Sequence, residues 1–179
     1  MNRLVITMGD PCGVGPEIIV KFFDGIYKVE DKRLFLVVVG SKSVLEYYKK
    51  KLRIDLEIVE ITKAHIVDGK LENGKLHLIN IDTDIDKLEF GKHTELGGAL
   101  SIKYLDKAIE LCHGKYVDGI VTCPISKDSI NMAGFKYSGH TEYLAEKSKT
   151  EDFAMVLKGK KVVVLLNSTH VSLKEAINR

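Results

Sequence analysis

The tetrapeptide GHTE at residues 139–142 has the residue types best suited to hold a ligand in this 179-residue sequence. A strand-like run at residues 116–122 comes before it, and a helix is expected to begin at its imidazole and hydroxyl. Helix N-termini present unpaired N–H groups and partial positive charge, so His140 and Thr141 would suit a phosphate or a carboxylate. The alternative is a plain helix cap formed by Ser138, Gly139 and Thr141.

A glycine-rich loop, GDPCGVGPE at residues 9–17, follows a short apolar run at residues 4–8. This order predicts a strand, a loop and then a helix, with Pro16 suited to the first helical turn. Glycines let a backbone approach a ligand closely, but the loop is neither a GxGxxG fingerprint nor a Walker loop. Asp10 and Glu17 could orient a substrate here. The alternative is a tight turn in which Asp10 bonds local backbone, and no general base is assigned.

His170 follows a buried strand predicted at residues 162–166 and precedes a helix expected near Ser172. The carboxyl ends of strands line the ligand crevice in open α/β sheets, so this position suits a metal-binding imidazole. Lys127 is the cation nearest to the proposed anion site, although a surface position on a helix is the favoured interpretation. Surface or edge positions are likewise expected for His65 and His77.

The elements that must position these residues alternate between strand and helix. Further strands are predicted at residues 34–39, 56–61 and 117–123, and helices at residues 42–51, 97–112 and 126–132. Residues 64–81 carry two Gly-containing turn signals between alternating runs, which predicts a hairpin or an antiparallel excursion. We therefore expect an α/β fold in three layers, with a largely parallel sheet, helices on both faces and this antiparallel excursion.

Composition excludes several classes of partner. The chain has 27 basic and 25 acidic residues and a net charge of +2, which gives no indication of binding to nucleic acid or to a membrane. The cysteines, which form no CxxC pair and no zinc-ligand spacing, are Cys12, Cys112 and Cys123. With no membrane-spanning apolar run and no signal peptide before the first strand, a cytoplasmic location is expected.

Three separated stretches together resemble one enzyme family. They are TMGDPCGVGPEI from Thr7, DGIVTCPISK followed by SGHTEYLAE within residues 118–146, and VVVLLNSTHVSL from Val162. In order and spacing they resemble the 4-hydroxythreonine-4-phosphate dehydrogenase family of vitamin B6 (pyridoxine and pyridoxal phosphate) biosynthesis. The resemblance covers essentially the whole chain, with Cys12 in place of the family's usual alanine.

The resemblance implies NAD-dependent oxidation of 4-phosphohydroxy-L-threonine, followed by decarboxylation to 3-amino-2-oxopropyl phosphate. A divalent metal, either zinc, magnesium or cobalt, would assist by favouring the alkoxide and then polarising the ketone. By the same resemblance His140 and Thr141 bind the substrate, and His170 is a metal ligand. The implied fold is similar to that of isocitrate and isopropylmalate dehydrogenases.

Members of that family continue well beyond the position equivalent to Arg179. The resemblance therefore implies that residues 1–179 form the N-terminal portion of a two-domain dehydrogenase, whose remaining metal and phosphate ligands lie in the other part. It also implies a homodimer, because the family builds its metal site across two subunits.

Three alternatives remain open. The first is a related dehydrogenase that acts on another hydroxy acid, such as a phosphorylated threonate or a cyclic diol carboxylate. The second is a non-catalytic binding module for phosphorylated ligands, which would keep the site at His140 and Thr141 without turnover. The third is an inactive fragment with an exposed interface.

Overall fold

A computed structural model describes residues 2–26, 34–69, 74–137, 139–168 and 171–177. The chain divides into two compact units, residues 1–137 (unit 1) and residues 138–179 (unit 2). The strands of unit 1 are β1 (Asn2–Thr7), β2 (Leu34–Gly40), β3 (Ile58–Glu60), β4 (Leu76–Asn80) and β5 (Gly119–Thr122). Its α-helices are α1 (Gly15–Lys21), α2 (Lys42–Leu52), α3 (Lys63–Asp68), α4 (Glu95–His113) and α5 (Lys127–Met132).

The five strands of unit 1 form one sheet in the order β3-β4-β2-β1-β5. Every neighbouring pair is parallel, and the central strand β1 pairs with β2 and β5 at once. Val37, Val38 and Val39 follow one another along β2 with no solvent exposure. Since successive side chains point to opposite faces, both faces of the sheet are covered, as is typical of parallel sheets.

The helices of unit 1 cover the sheet from two sides. The chain passes from β1 to β2 by way of α1, and from β4 across β2 and β1 to β5 by way of α4. These crossovers run in opposite directions, so right-handed connections place α1 and α4 on opposite faces. Helix α1 packs against α2, whereas α4 contacts β1, β2 and β5. The predicted α/β fold with helices on both faces of a parallel sheet is confirmed.

The antiparallel excursion predicted at residues 64–81 is wrong in its position. Asp68-Gly69 is not a hairpin turn: Gly69, with φ 64°, is the C-cap of α3. Helix α3 begins with a capping box between Thr62 and His65. The strand β4 that follows is parallel to both β2 and β3. His77 lies within this strand and is buried against the ring of Phe35, so its predicted surface or edge position is also wrong.

Unit 2 contains helix α6 (His140–Ser148), the strands β6 (Met155–Lys158) and β7 (Val163–Leu166), and the short helix α7 (Leu173–Ile177). Strands β6 and β7 pair antiparallel, with Met155 opposite Leu166. The fold's antiparallel pairing is therefore here and not at residues 64–81. Val163, Val164 and Leu165 are between 44% and 66% exposed, so β7 is not the buried strand that the sequence predicts.

Candidate functional site

Helix α6 begins at His140, where the sequence predicts an anion site. Its N-cap is Gly139, whose backbone is extended with φ 167° and which offers no side chain to the first N–H groups. Gly139 is therefore the cap residue, as the capping alternative predicts, but it supplies no side-chain hydrogen bond. Thr141 lies within the first turn of α6, and Ser138 lies outside the described residues. The amides of this nine-residue helix thus meet no capping side chain from Gly139.

A pocket of about 320 Å³ within unit 2 joins the start of α6 to the end of β7. Its polar wall includes Thr141 and Glu142 from α6 and Asn167 and Ser168 from the segment after β7, and its apolar wall includes Phe153 and Leu166. Residues of the GHTE segment therefore meet the first two residues of the NSTH segment at one pocket.

The metal ligand predicted in the second of these segments, His170, lies two positions beyond Ser168 and outside the described residues. Within the described parts of the chain, no three His, Cys, Asp or Glu side chains are grouped to hold a metal ion. A catalytic zinc generally needs about three protein ligands. The described residues do not form such a centre by themselves.

The imidazole of His140 is half-buried, and its Nε2 atom has no hydrogen-bond partner among the described residues. Burial lowers the pKa of His140 because the charged imidazolium loses hydration. The imidazole of His140 is therefore neutral at pH 7. A buried polar atom without a partner costs about 1–3 kcal/mol, which a ligand hydrogen bond would offset.

The glycine-rich loop of unit 1 makes its close approach to the protein's own backbone. Gly9 has φ 73°, and a Cβ there would overlap the carbonyl oxygen of Pro124. Asp10 donates its backbone N–H to that same oxygen at 3.0 Å. The loop after β1 is thereby fixed to the loop after β5, so these two contacts account for the glycine without a ligand.

The carboxylate of Asp10 is buried and fully engaged. One oxygen, Oδ1, accepts the Cys12 N–H at 2.9 Å, and the other, Oδ2, accepts the Ser129 hydroxyl at 3.0 Å. The alternative in which Asp10 bonds local backbone is thus confirmed. Glu17 forms an ion pair with Lys21 on α1, and Lys127 is exposed at the start of α5.

The cysteines are free thiols. Burial raises the pKa of Cys12 and Cys112, and it raises the pKa of Cys123 to about 11. Because the thiolate is both the nucleophile and the metal ligand, these side chains are poorly suited to either task at neutral pH.

Sequence reasoning missed a second cleft, of about 250 Å³, in unit 1. It lies beside the loops that follow β1 and β5, and it brings His93 to within 2.7 Å of Ser126. The two residues are 33 positions apart in sequence, so no local spacing pattern connects them. The signal available was the position of Ser126 just after the predicted strand at residues 117–123 in an α/β fold.

Among the described residues, no helix is both long and apolar enough to cross a membrane.

Comparisons with known proteins agree on one family. The model of the family described as pyridoxal phosphate biosynthetic protein PdxA matches residues 32–179. A 4-hydroxythreonine-4-phosphate dehydrogenase of Sulfurihydrogenibium sp. is 41% identical over 98% of this chain and 52% of its own length. A Fusobacterium nucleatum protein, provisionally named D-threonate 4-phosphate dehydrogenase, is 37% identical over 98% of this chain and 52% of its own.

The crystal structure of a 4-hydroxythreonine-4-phosphate dehydrogenase from Burkholderia phymatum matches with a TM-score of 0.87 and 28% identity. The match covers 53% of the length of the Burkholderia protein and 100% of this chain. The chain spans about half the length of the curated relatives it matches. The family match includes GHTE and the segment after β7, and the resemblance recognised in the sequence is confirmed. We conclude that the chain belongs to the PdxA family of pyridoxal phosphate biosynthetic proteins.

Proposed function

We propose that this chain provides the substrate-binding part of a 4-hydroxythreonine-4-phosphate dehydrogenase. The reaction would be NAD-dependent oxidation of 4-phosphohydroxy-L-threonine and decarboxylation to 3-amino-2-oxopropyl phosphate. The observation that carries the proposal is the pocket of unit 2, where Thr141 meets Asn167 and Ser168. Residues 1–179 would be the N-terminal portion of the enzyme, acting as a homodimer in the cytoplasm.

The pocket's donors suit a phosphorylated hydroxy acid. The Thr141 hydroxyl and the first amides of α6 are the groups that bind anionic oxygens at a helix N-terminus. By the family resemblance His140 would also bind the substrate; its imidazole lies next to Thr141 at the start of α6, and its buried Nε2 has no partner within the described residues. These residues would bind and orient the substrate, which lowers the entropic cost of bringing it to its hydride acceptor.

The dinucleotide, when bound, supplies the hydride acceptor. Divalent-metal assistance and the role of His170 as a ligand follow from the family resemblance and belong to the same proposal. Because the described residues hold no complete ligand set, no step of the reaction is assigned to a metal in this chain.

Two alternative functions make different predictions. The Fusobacterium relative favours a dehydrogenase of D-threonate 4-phosphate, a substrate that carries a hydroxyl where 4-phosphohydroxythreonine carries an ammonium group. A non-catalytic binding module would use the same pocket without turnover. Because the phosphorylated end of both substrates is the same, the pocket at Thr141 serves either one.

The test measures binding of each of the two phosphorylated acids to the purified chain by isothermal titration, and in parallel NADH absorbance in the presence of NAD and a divalent metal. We expect tighter binding of 4-phosphohydroxythreonine, at least about 10-fold weaker binding in His140→Ala, and no change in His113→Ala, an exposed histidine at the end of α4. NADH formation by the chain itself would exclude the non-catalytic module. An affinity unaffected by His140→Ala would contradict the proposed site.

A further inference from the structure

The cleft of unit 1 lies where an open α/β sheet reverses its strand order. From β1 the chain continues to β2 on one side, whereas β5 pairs with β1 on the other side. Ligands of such sheets bind outside the carboxyl ends of the strands at this switch point. Here that crevice is the cleft of about 250 Å³ between the loops after β1 and β5.

Apolar side chains form much of the wall of this cleft. Val14 comes from the first loop, and Pro124 and Ile125 come from the loop after β5. Such a surface suits the face of a planar ring better than a strongly hydrated group.

The hydrogen-bonding groups at the cleft are the hydroxyl of Ser126 and the imidazole of His93. The Ser126 oxygen accepts the backbone N–H of Ser129 at 3.1 Å and lies 2.7 Å from Nδ1 of His93, and in the Nε2–H tautomer of His93 the Ser126 O–H donates to this Nδ1. His93 then carries its proton on Nε2, which is 3.8 Å from the Asp128 carboxylate and too far for a hydrogen bond.

This arrangement leaves one acceptor and one donor for a ligand. The acceptor is the second lone pair of the Ser126 oxygen, and the donor is the Nε2–H of the exposed His93 side chain. A primary carboxamide has the complementary pair, an NH₂ group and a carbonyl oxygen. A planar ring that carries a carboxamide is the nicotinamide of a dinucleotide.

We propose that the cleft of unit 1 binds the nicotinamide ring, with Ser126 accepting from the carboxamide NH₂ and His93 donating to its carbonyl oxygen. The inference rests on the proposed function, because a dehydrogenase needs a dinucleotide as hydride acceptor. It adds two residues to the candidate site, and it assigns them a ligand that His140 and Thr141 do not bind.

The test is a fluorescence titration of the purified chain with NADH, repeated on His93→Ala and Ser126→Ala. Loss of one hydrogen bond to the ligand should weaken binding about 5-fold to 10-fold in each variant. The control variant His113→Ala should bind as the wild type does. The 3-acetylpyridine analogue of NADH keeps the carbonyl but lacks the NH₂, so Ser126→Ala should weaken its binding less than it weakens NADH binding, whereas His93→Ala should weaken the binding of both alike.

Equal NADH affinity in the wild type and both variants would overturn the inference, and so would an absence of NADH binding to the folded chain. Circular dichroism of each variant confirms folding. Binding of 4-phosphohydroxythreonine to the same samples separates this inference from the proposed function. If the affinity for 4-phosphohydroxythreonine falls in His140→Ala, while the affinity for NADH is unchanged in His93→Ala and Ser126→Ala, the proposed function stands and the nicotinamide site is wrong.

Discussion

Strands β2 and β7 have nearly the same kind of sequence and opposite surroundings. Val37, Val38 and Val39 in β2 are fully buried, whereas Val163, Val164 and Leu165 in β7 are 62%, 44% and 66% exposed. Strand β2 lies between two other strands and under helices, whereas β7 belongs to a ribbon of two strands. An apolar run therefore specifies a strand, but its burial depends on how many neighbours the rest of the chain supplies.

The same contrast separates the two candidate ligand clefts. In unit 1 the cleft is built on a five-stranded sheet, and the buried network around Asp10 and Ser129 fixes its loops. In unit 2 the pocket at Thr141 lies between one helix and the end of a two-stranded ribbon. Ligand sites are often drawn from the less stable parts of a protein, so ligand binding should order unit 2 more than unit 1.

The largest effect is expected from a charge placed in each strand. Val38→Asp puts an unpaired carboxylate where the side chain has no exposure, which should lower the free energy of unfolding by about 4 kcal/mol or more. Val164→Asp puts the same carboxylate on a side chain that is 44% exposed, and should cost under about 1 kcal/mol. Urea unfolding followed by circular dichroism measures both.

The matched pair differs only in position, so each variant is the control for the other. Equal losses in Val38→Asp and Val164→Asp would contradict the contrast between the sheet and the ribbon.

A smaller effect is expected from one added methyl group. Gly98 in α4 lies so close to α5 that a Cβ would overlap the carbonyl oxygen of Ser129. Gly98→Ala should therefore force the two helices apart and cost about 1–3 kcal/mol. Gly159, beside the ribbon, has its nearest neighbour atom at 3.4 Å from such a Cβ, so Gly159→Ala should be nearly neutral.

Thermal unfolding compares these two variants with the wild type. If Gly98→Ala is as stable as Gly159→Ala, the contact between α4 and α5 is looser than described. Because Ser129 of α5 fixes the loops of the unit 1 cleft through Asp10, that result would contradict the rigidity of this cleft.

Much of the fold could be predicted from local sequence. The run at residues 34–39 predicts β2, and the glycine loop followed by Pro16 predicts the transition from β1 to α1. Asp68-Gly69 misled the prediction because the same dipeptide can end a helix or turn a hairpin, and the capping box at Thr62 decides in favour of the helix.

The candidate site could be predicted only where its residues are close in sequence. GHTE was recognised from its own spacing, and the pocket brings Thr141 together with Asn167 and Ser168 from the NSTH segment. By contrast, the contact between Asp10 and Ser129 spans 119 positions. Tertiary structure alone creates this contact, so single-sequence patterns could not reveal it.

The central claim is that the pocket at the start of α6 binds the phosphorylated substrate. Isothermal titration of the chain with 4-phosphohydroxythreonine tests it most directly, using Thr141→Val, which removes one hydroxyl donor at nearly constant volume. Loss of a hydrogen bond to a charged group should weaken binding at least about 10-fold, while the control Thr83→Val in unit 1 should leave the affinity unchanged. An affinity that is the same in the wild type and Thr141→Val would contradict the claim.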